Sequence, residues 1–195
     1  MSKKIWGGLF AVSCMWVVSH SFAAGVVTAW PKGVYQGTVH VNCLESVDGF
    51  SPPPDLRFIG SIGGRYSDAF FSTAVFPGDG TMIENVRGTT FFEGAIFDGA
   101  YGAGTFVTTC QYTLTAIGVR SFSLKGSCNG ELPAGPAAGQ SVTVDDIDAL
   151  LQVSEDDRVI ITGASEPDSQ TLTLSGGYVA QRLCAATATY VRVKR

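Results

Sequence analysis

The sequence predicts an all-β protein of about nine to eleven short strands, arranged as a single antiparallel meander barrel or as a β-sandwich. Apolar and polar residues alternate along many segments, and glycine- and proline-rich turns separate these segments. Four cysteines also fall where neighbouring strands would pair, so two disulfides are expected. One segment, VDDIDALLQV at 144–153, has the acids and apolar residues of a helix start, and a single helical turn is expected there.

Residues 106–128, FVTTCQYTLTAIGVRSFSLKGSC, form the clearest predicted hairpin. Even-numbered positions are mostly apolar and odd-numbered positions mostly polar, which is the pattern of a strand with one buried face. Folding this segment about Val119 places Cys110 opposite Cys128. A slip of one residue would invert both faces, so a single register satisfies the apolar pattern and the disulfide together. Gly118 is expected to relax the backbone at the tip.

The remaining pair of cysteines predicts that the first and last strands are neighbours. Cys43 ends the predicted first strand, VYQGTVHVNC, and Cys184 begins the predicted last strand, CAATATYVRVKR. Of the five cysteines, Cys14 lies in the predicted signal peptide described below. The other four allow three pairings, and the hairpin selects one of them, which leaves Cys43 with Cys184. A bond between first and last strands fits a closed barrel or a sandwich with adjacent termini.

The N-terminus has the features of a secretory signal peptide. Lys3 and Lys4 precede an apolar run, and Ser21-Phe22-Ala23 supplies small residues at the cleavage-specifying positions. We therefore expect residues 1–23 to be removed, which leaves residues 24–195 as a single all-β domain, secreted or periplasmic. A retained anchor is the alternative, but the uncharged run is at the short end for a membrane span.

Charge and composition restrict the partners of the exported chain. Loss of the two signal-peptide lysines leaves 11 Lys and Arg against 17 Asp and Glu, a net charge of about −6. This charge argues against nucleic acid or an anionic membrane as the partner. No membrane span is expected after cleavage, and no cofactor. An outer-membrane barrel is the structural alternative, but the polar faces carry Thr, Ser, Gln and Lys as a water-facing surface would.

The sequence offers little catalytic or metal-binding chemistry. His40 is the one histidine outside the signal peptide, and alternation places it on the polar face of the first strand. The cysteines are committed to disulfides, so neither a catalytic residue nor a metal site is predicted. Asp145, Asp146, Asp148 and the acids at 155–157 could gather calcium, but their spacing matches no EF-hand. Turn and cap roles are expected for them instead.

Two pairs of adjacent phenylalanines stand out. Phe70-Phe71 and Phe91-Phe92 lie in predicted strands that fold about Asp79. Neighbouring strand residues face opposite ways, so Phe71 and Phe91 share one face and Phe70 and Phe92 the other. Either the loop 94–104 covers the second apolar face, or these side chains form an exposed interaction patch. That patch would comprise Phe70, Phe71, Phe91, Phe92, Phe97 and Tyr101.

These observations favour an exported, non-enzymatic protein that binds a small apolar ligand or a protein partner. A ligand would lie in the barrel mouth, lined by the apolar face of the clearest hairpin. The predicted lining residues are Phe106, Tyr112, Leu114, Phe122 and Leu124. One alternative is a structural or interaction protein of the cell envelope that uses the aromatic patch. A second is a hydrolase with carboxylates that meet only in space.

In outline, the chain resembles small secreted β-barrel proteins of the lipocalin-like kind. The resemblance rests on the opening Gly33-Val34-Tyr35, the meander of strands and the bridge between first and last strands. The Gly-x-Trp signature typical of lipocalins is absent, because Trp30 precedes Gly33. The resemblance therefore concerns the outline of the fold alone, and no residue role is transferred from it.

Overall fold

The computed structural model describes residues 29–52, 55, 57, 59, 63–94, 101–164 and 167–194. The predicted signal peptide and its cleavage site lie outside these residues. Within them, the chain is all-β and contains nine antiparallel strands, as the alternation predicted. The strands are β1 (Gly33–Ser46), β2 (Gly63–Phe76), β3 (Thr81–Gly94), β4 (Tyr101–Gly118), β5 (Ser121–Ala134), β6 (Ser141–Val153), β7 (Val159–Gly163), β8 (Asp168–Leu174) and β9 (Val179–Lys194).

Most strands are longer than the sequence predicted. The first was expected to end at Cys43 and the last to begin at Cys184, but β1 continues to Ser46 and β9 begins at Val179. The inward alternation continues past both cysteines, because Glu45 is fully buried on β1 and Arg182 is almost fully buried on β9. Charged residues ended the apolar pattern in the sequence, but they did not end the strands.

The strands form a ring-like sheet. Each strand from β1 to β6 pairs with the next, and β1 also pairs with β9. The short strands β7 and β8 both lie between β6 and β9: β7 pairs with Leu150–Val153 of β6 and β8 with Val142–Asp145. The pairings therefore make a complete circuit, with β7 and β8 sharing one position, and the predicted meander is confirmed.

The hairpin of β4 and β5 has the predicted register. Cys110 pairs with Cys128 and their sulfurs are bonded, with Cα atoms 3.9 Å apart. The expectation for the tip was wrong in one respect. Gly118 still belongs to β4 and pairs with Ser121, and the left-handed residue of the turn is Arg120, with φ of 58°.

The first and last strands are antiparallel neighbours, as predicted. Cys43 pairs with Cys184 and the two are bonded, with Cα atoms 4.1 Å apart. Two disulfides are typical of proteins from an oxidising compartment outside the cytoplasm. No helix with the length and apolar character needed to cross a bilayer occurs in the described part of the chain.

The helical turn expected within 144–153 is absent, because these residues belong to β6. The pairing of β5 with β6 shifts between Gly126 and Cys128, and Asp146 has φ of 62°. The extra residue of a β-bulge takes up this shift. The acids that suggested a helix start therefore mark a bulge in a strand.

The sequence ALLQVSEDDRVIITG at 149–163 also predicts a hairpin folded about Asp156, and the register that it predicts was wrong by one residue. Folding about Asp156 would pair Val153 with Val159, but Val153 pairs with Ile160 instead. Asp157 has φ of 58° in the turn, and its carboxylate forms an ion pair with Arg120 from the β4–β5 turn. The observed register buries Ile160 completely in the core.

One end of the ring is packed with aromatic and aliphatic side chains. The ring of Trp30, which precedes β1, lies 5.4 Å from that of Phe122. Tyr35 meets Phe76 edge to face at the same centroid distance. The Tyr35 hydroxyl donates to the backbone carbonyl of Asp157, 2.8 Å away in the β6–β7 turn. We call this end the base of the ring.

The two disulfides should differ in their contribution to stability. Cys43–Cys184 spans 141 residues and Cys110–Cys128 spans 18. In the chain-entropy model, these bonds stabilise the fold by about 5 and about 3 kcal/mol respectively. We expect Cys43→Ala/Cys184→Ala to lower the free energy of unfolding in urea more than Cys110→Ala/Cys128→Ala. Equal losses, or the reverse order, would contradict the entropic account.

Candidate functional site

A cavity of about 230 Å³ lies inside the ring above the base, and its lining is mostly apolar. Of the five predicted lining residues, Phe106, Tyr112 and Leu124 line it. Leu114 and Phe122 are buried in the core cluster, where Phe122 packs against Trp30 in the base. The predicted set therefore divides between the cavity and the packed base.

A buried carboxylate lies among the apolar residues that line the cavity. Glu84 of β3 is only 4% exposed and accepts hydrogen bonds from three hydroxyl groups. The Tyr190 hydroxyl donates to Oε1 at 2.6 Å, and the Tyr112 hydroxyl to Oε2 at 3.2 Å. The Ser72 hydroxyl also donates to Oε1. Within the described residues, Glu84 makes no ion pair.

The two tyrosines beside Glu84 are held as hydrogen-bond donors. Burial raises the pKa of Tyr112 well above its ordinary value, and the charge of Glu84 raises it further. The same two causes raise the pKa of Tyr190. Because both phenols stay protonated, they can donate hydrogen bonds that stabilise a charged carboxylate.

Glycines on the neighbouring strands make room for these tyrosines. Gly37 pairs with Tyr190, and Gly126 pairs with Tyr112. A Cβ on Gly37 would lie 2.2 Å from the backbone oxygen of Thr189 and 2.7 Å from Cδ1 of Tyr190. A Cβ on Gly126 would lie 2.1 Å from the backbone oxygen of Gln111 and 2.6 Å from Cδ1 of Tyr112. All four separations are too short, so glycine is needed at these positions both for the approach of the neighbouring backbone and for the tyrosine rings.

A second polar cluster lines the cavity at the opposite end from the base, which we call the mouth. Arg182 of β9 lies between two acids: its Nε is 3.2 Å from Glu45 Oε2, and its Nη2 is 3.7 Å from Asp68 Oδ2. The Tyr178 hydroxyl donates to Glu45 Oε1 at 2.6 Å, and Tyr66 also hydrogen-bonds this carboxyl group. The Arg182 guanidinium lies over the Tyr66 ring, 5.1 Å from its centroid.

Several buried atoms of the mouth lack a hydrogen bond within the described residues. Asp68 Oδ1 has no hydrogen-bond partner there, whereas Glu45 Oε2 and Arg182 Nε lie 3.2 Å apart as an ion pair without making a hydrogen bond. Burial raises the pKa of Glu45, although Arg182 opposes the shift. Buried polar groups without partners are costly and usually have water or a ligand nearby. The mouth therefore has unused capacity for hydrogen bonding.

The Glu84 site and the mouth are well separated in the direction of the strands. Ser72, which donates to Glu84, pairs with Gly37 on β1. Glu45 lies about eight residues further along β1, or roughly 26 Å along the strand. The side chains between the two sites are mostly apolar and include Val39, Val41, Val86 and Phe106. The cavity thus has an apolar middle with polar groups towards each end.

The phenylalanine pairs have the predicted register and orientation. Phe91 pairs with Ser67 on β2. On the outer face, Phe71 is 75% exposed and Phe91 is 55% exposed. Phe70 and Phe92 face inward and line the cavity. The predicted patch is thus divided between the two faces of the sheet. Phe97 and the side chain of Tyr101 lie outside the described residues.

Sequence reasoning missed the polar residues of the interior, although alternation contained a signal for them. Glu84 shares its parity with the buried Met82 and Val86 on β3, and Glu45 continues the inward series that ends with Cys43. A charged residue at an inward position is rare unless it is paired or functional. His40, the one histidine outside the predicted signal peptide, is exposed on the outer face of β1.

Substitution of the glycines tests the crowding at these two positions. We expect Gly37→Ala and Gly126→Ala each to lower the free energy of unfolding by about 1–3 kcal/mol, because the new methyl group collides with the neighbouring backbone and with a buried ring. Gly163→Ala is the matched control: its nearest neighbour would be 3.8 Å away, and we expect a change within about 0.5 kcal/mol. Urea unfolding measures all three. Equal stability of Gly37→Ala and the control would contradict the crowding.

Comparison with protein-family models, curated proteins and solved structures finds no match to this chain. A fold does not specify a function by itself, because function resides in the chemistry of particular sites. The interior cavity and its two polar clusters are therefore the features from which a function can be inferred.

Proposed function

We propose that this chain is an exported, non-enzymatic binding protein that holds a small apolar ligand inside the ring. The observation that carries the proposal is the cavity of about 230 Å³ above the packed base. Ligand sites are typically concave and mostly apolar, with a few polar groups that fix orientation. The apolar middle and the polar groups of this cavity follow that description.

The size of the cavity supports a small ligand. Cavities that hold drug-sized molecules are about 300–1,000 Å³, and this one is smaller. The close packing of Trp30, Tyr35, Phe76 and Phe122 at the base leaves the mouth as the route of entry. A compact molecule with a short aliphatic or aromatic body is the expected occupant.

The two disulfides and the N-terminal sequence support export. Bonds such as Cys43–Cys184 form and persist outside the reducing cytoplasm. Removal of the predicted signal peptide, residues 1–23, would release the domain to the periplasm or the medium. The proposed site of action is therefore extracytoplasmic.

A cavity-filling substitution tests the proposal. We expect 1-octanol, a small amphiphile with a neutral head, to bind the oxidised protein in isothermal titration calorimetry. Val86 lines the cavity, and Val86→Phe should weaken octanol binding by at least about tenfold, because the larger side chain occupies the space. Val107 is 38% exposed on the outer face of the sheet, and Val107→Phe is the matched control. Binding that Val86→Phe leaves unchanged would exclude the cavity as the site.

The exposure of Phe71 and Phe91 favours a second candidate, a contact with another protein of the cell envelope. Exposed aromatic side chains are common anchors of protein interfaces. We expect Phe71→Ser/Phe91→Ser to reduce association measured by sedimentation. Ile161→Ser/Val191→Ser, which removes two other exposed apolar side chains, should leave it unchanged. A wild-type chain that stays monomeric at high concentration, with equal behaviour of both variants, would count against this candidate.

A further inference from the structure

We propose that the ligand carries a positively charged amine, and that this amine binds the carboxylate of Glu84 inside the ring. The inference rests on the proposed function, because it specifies the class of molecule that the cavity holds. It predicts a small amphiphilic ammonium, with one cationic nitrogen and a short apolar body. A small molecule with a carboxylate head would be excluded.

The balance of charge inside the cavity favours a cation. Among the described residues that line it, the acids are Glu45, Asp68 and Glu84, and the one base is Arg182. Arg182 lies within 4 Å of both Glu45 and Asp68, so its charge is already matched at the mouth. An incoming carboxylate would meet more negative than positive charge, and like charges in a poorly solvated site repel strongly. An ammonium would reduce the excess.

Glu84 is the acid with no cation of its own among the described residues. Three hydroxyl groups donate to it, but an ionised carboxylate has about four acceptor positions. Tyr112 is its only described donor at Oε2, and at 3.2 Å this hydrogen bond is longer than the 2.6 Å bond from Tyr190 to Oε1. A nitrogen donor approaching Oε2 from the cavity would complete the set. A buried charge is costly unless a charge of opposite sign accompanies it.

An unpaired atom at the mouth is a second indication of a polar guest. Asp68 lines the cavity, and its buried Oδ1 accepts no hydrogen bond within the described residues. Glu45 Oε2 accepts none either, but Arg182 Nε already lies 3.2 Å from it as an ion pair. Asp68 Oδ1 is therefore the acceptor that attracts a donor or a cation towards the mouth. An ammonium that enters here would pass to Glu84, the acid that lacks a base.

The apolar middle accommodates the rest of such a molecule. Val86 follows Glu84 on the inward face of β3, and Phe106 and Phe70 line the cavity beyond it with their rings 5.5 Å apart. With the nitrogen at Glu84, an alkyl or aryl body of modest length would lie against these side chains. It would end short of the charged mouth, because Glu45 lies roughly 26 Å along β1 from Gly37, the β1 residue that pairs with Ser72 at the Glu84 site.

Three probes with the same body and different heads test the inference. Octylamine, 1-octanol and octanoate are titrated into the wild-type protein by calorimetry at about pH 7, where an alkylamine is protonated as lysine is. We expect octylamine to bind at least about tenfold more tightly than octanol, because both heads can donate a hydrogen bond to Glu84 but only the ammonium also brings an opposite charge. Octanoate should bind more weakly than octanol.

Variants locate the head group. Glu84→Gln keeps the shape and accepts hydrogen bonds but removes the charge. It should lower octylamine affinity at least about tenfold and leave octanol binding nearly unchanged, which also shows that the variant is folded. Glu131→Gln removes an exposed carboxylate from the outside of β5 and is the matched control. Asp68→Asn removes a negative charge from the mouth and tests whether the ammonium group binds there instead.

The outcomes separate the inference from the proposed function. If octanol binds but octylamine binds no better, or if Glu84→Gln has no effect, the amine inference is wrong and the ligand-binding cavity stands. If Asp68→Asn weakens octylamine and Glu84→Gln does not, the placement at Glu84 is wrong. If none of the three probes binds, the proposed function itself fails.

Discussion

The pairing of β1 with β9, fixed by the disulfide between Cys43 and Cys184, is the constraint on which the rest of the structure depends. Without it, the meander would be an open sheet with two free edges, whose unpaired backbone groups could pair with another chain. With it, one face of every strand is turned inward. Closure brings Tyr190 of the last strand to within hydrogen-bonding distance of Glu84 on the third, and Arg182 to Glu45 on the first. The polar clusters of the interior are therefore products of closure, since each joins a residue of the last strand to residues of the first three strands.

Closure buries the inward side chains, so a charged residue at an inward position loses its contact with water. At the base the inward residues are apolar, and aromatic rings such as Trp30 and Phe122 pack together. Above the base, the same inward positions carry Glu84, Glu45 and Arg182, and each is almost fully buried. Hydroxyl donors offset part of the cost at Glu84, and the ion pair with Arg182 offsets part of it at Glu45. Burial raises the pKa of Glu45, and Arg182 together with the hydroxyl groups of Tyr178 and Tyr66 opposes that shift.

Much of this arrangement was predictable from alternation combined with one covalent constraint. The cysteines determine the β4–β5 and β1–β9 registers, because a slip of one residue would turn the sulfurs to opposite faces. Prediction failed where contacts from elsewhere in the fold decide the local geometry. The β6–β7 turn is held by Arg120 from another hairpin, and the bulge at Asp146 depends on its pairing with β5. The Glu84 cluster draws on β2, β3, β4 and β9, so its parity was visible in the sequence but its partners were not.

The contrast between base and cavity bears on why the polar residues are there. Replacing a buried ion pair by well-packed apolar side chains is often neutral or stabilising by about 1–4 kcal/mol. The base shows that this sequence can fill a cross-section of the ring with apolar groups, so a fully apolar interior would have been available. Glycines at positions 37 and 126 are a further cost, since each leaves a strand without a side chain where the neighbouring backbone and a tyrosine beside Glu84 approach closely. The buried polar clusters therefore add nothing that an apolar interior could not supply to folding, and the proposed recognition of a cationic nitrogen on an apolar molecule would give them a use.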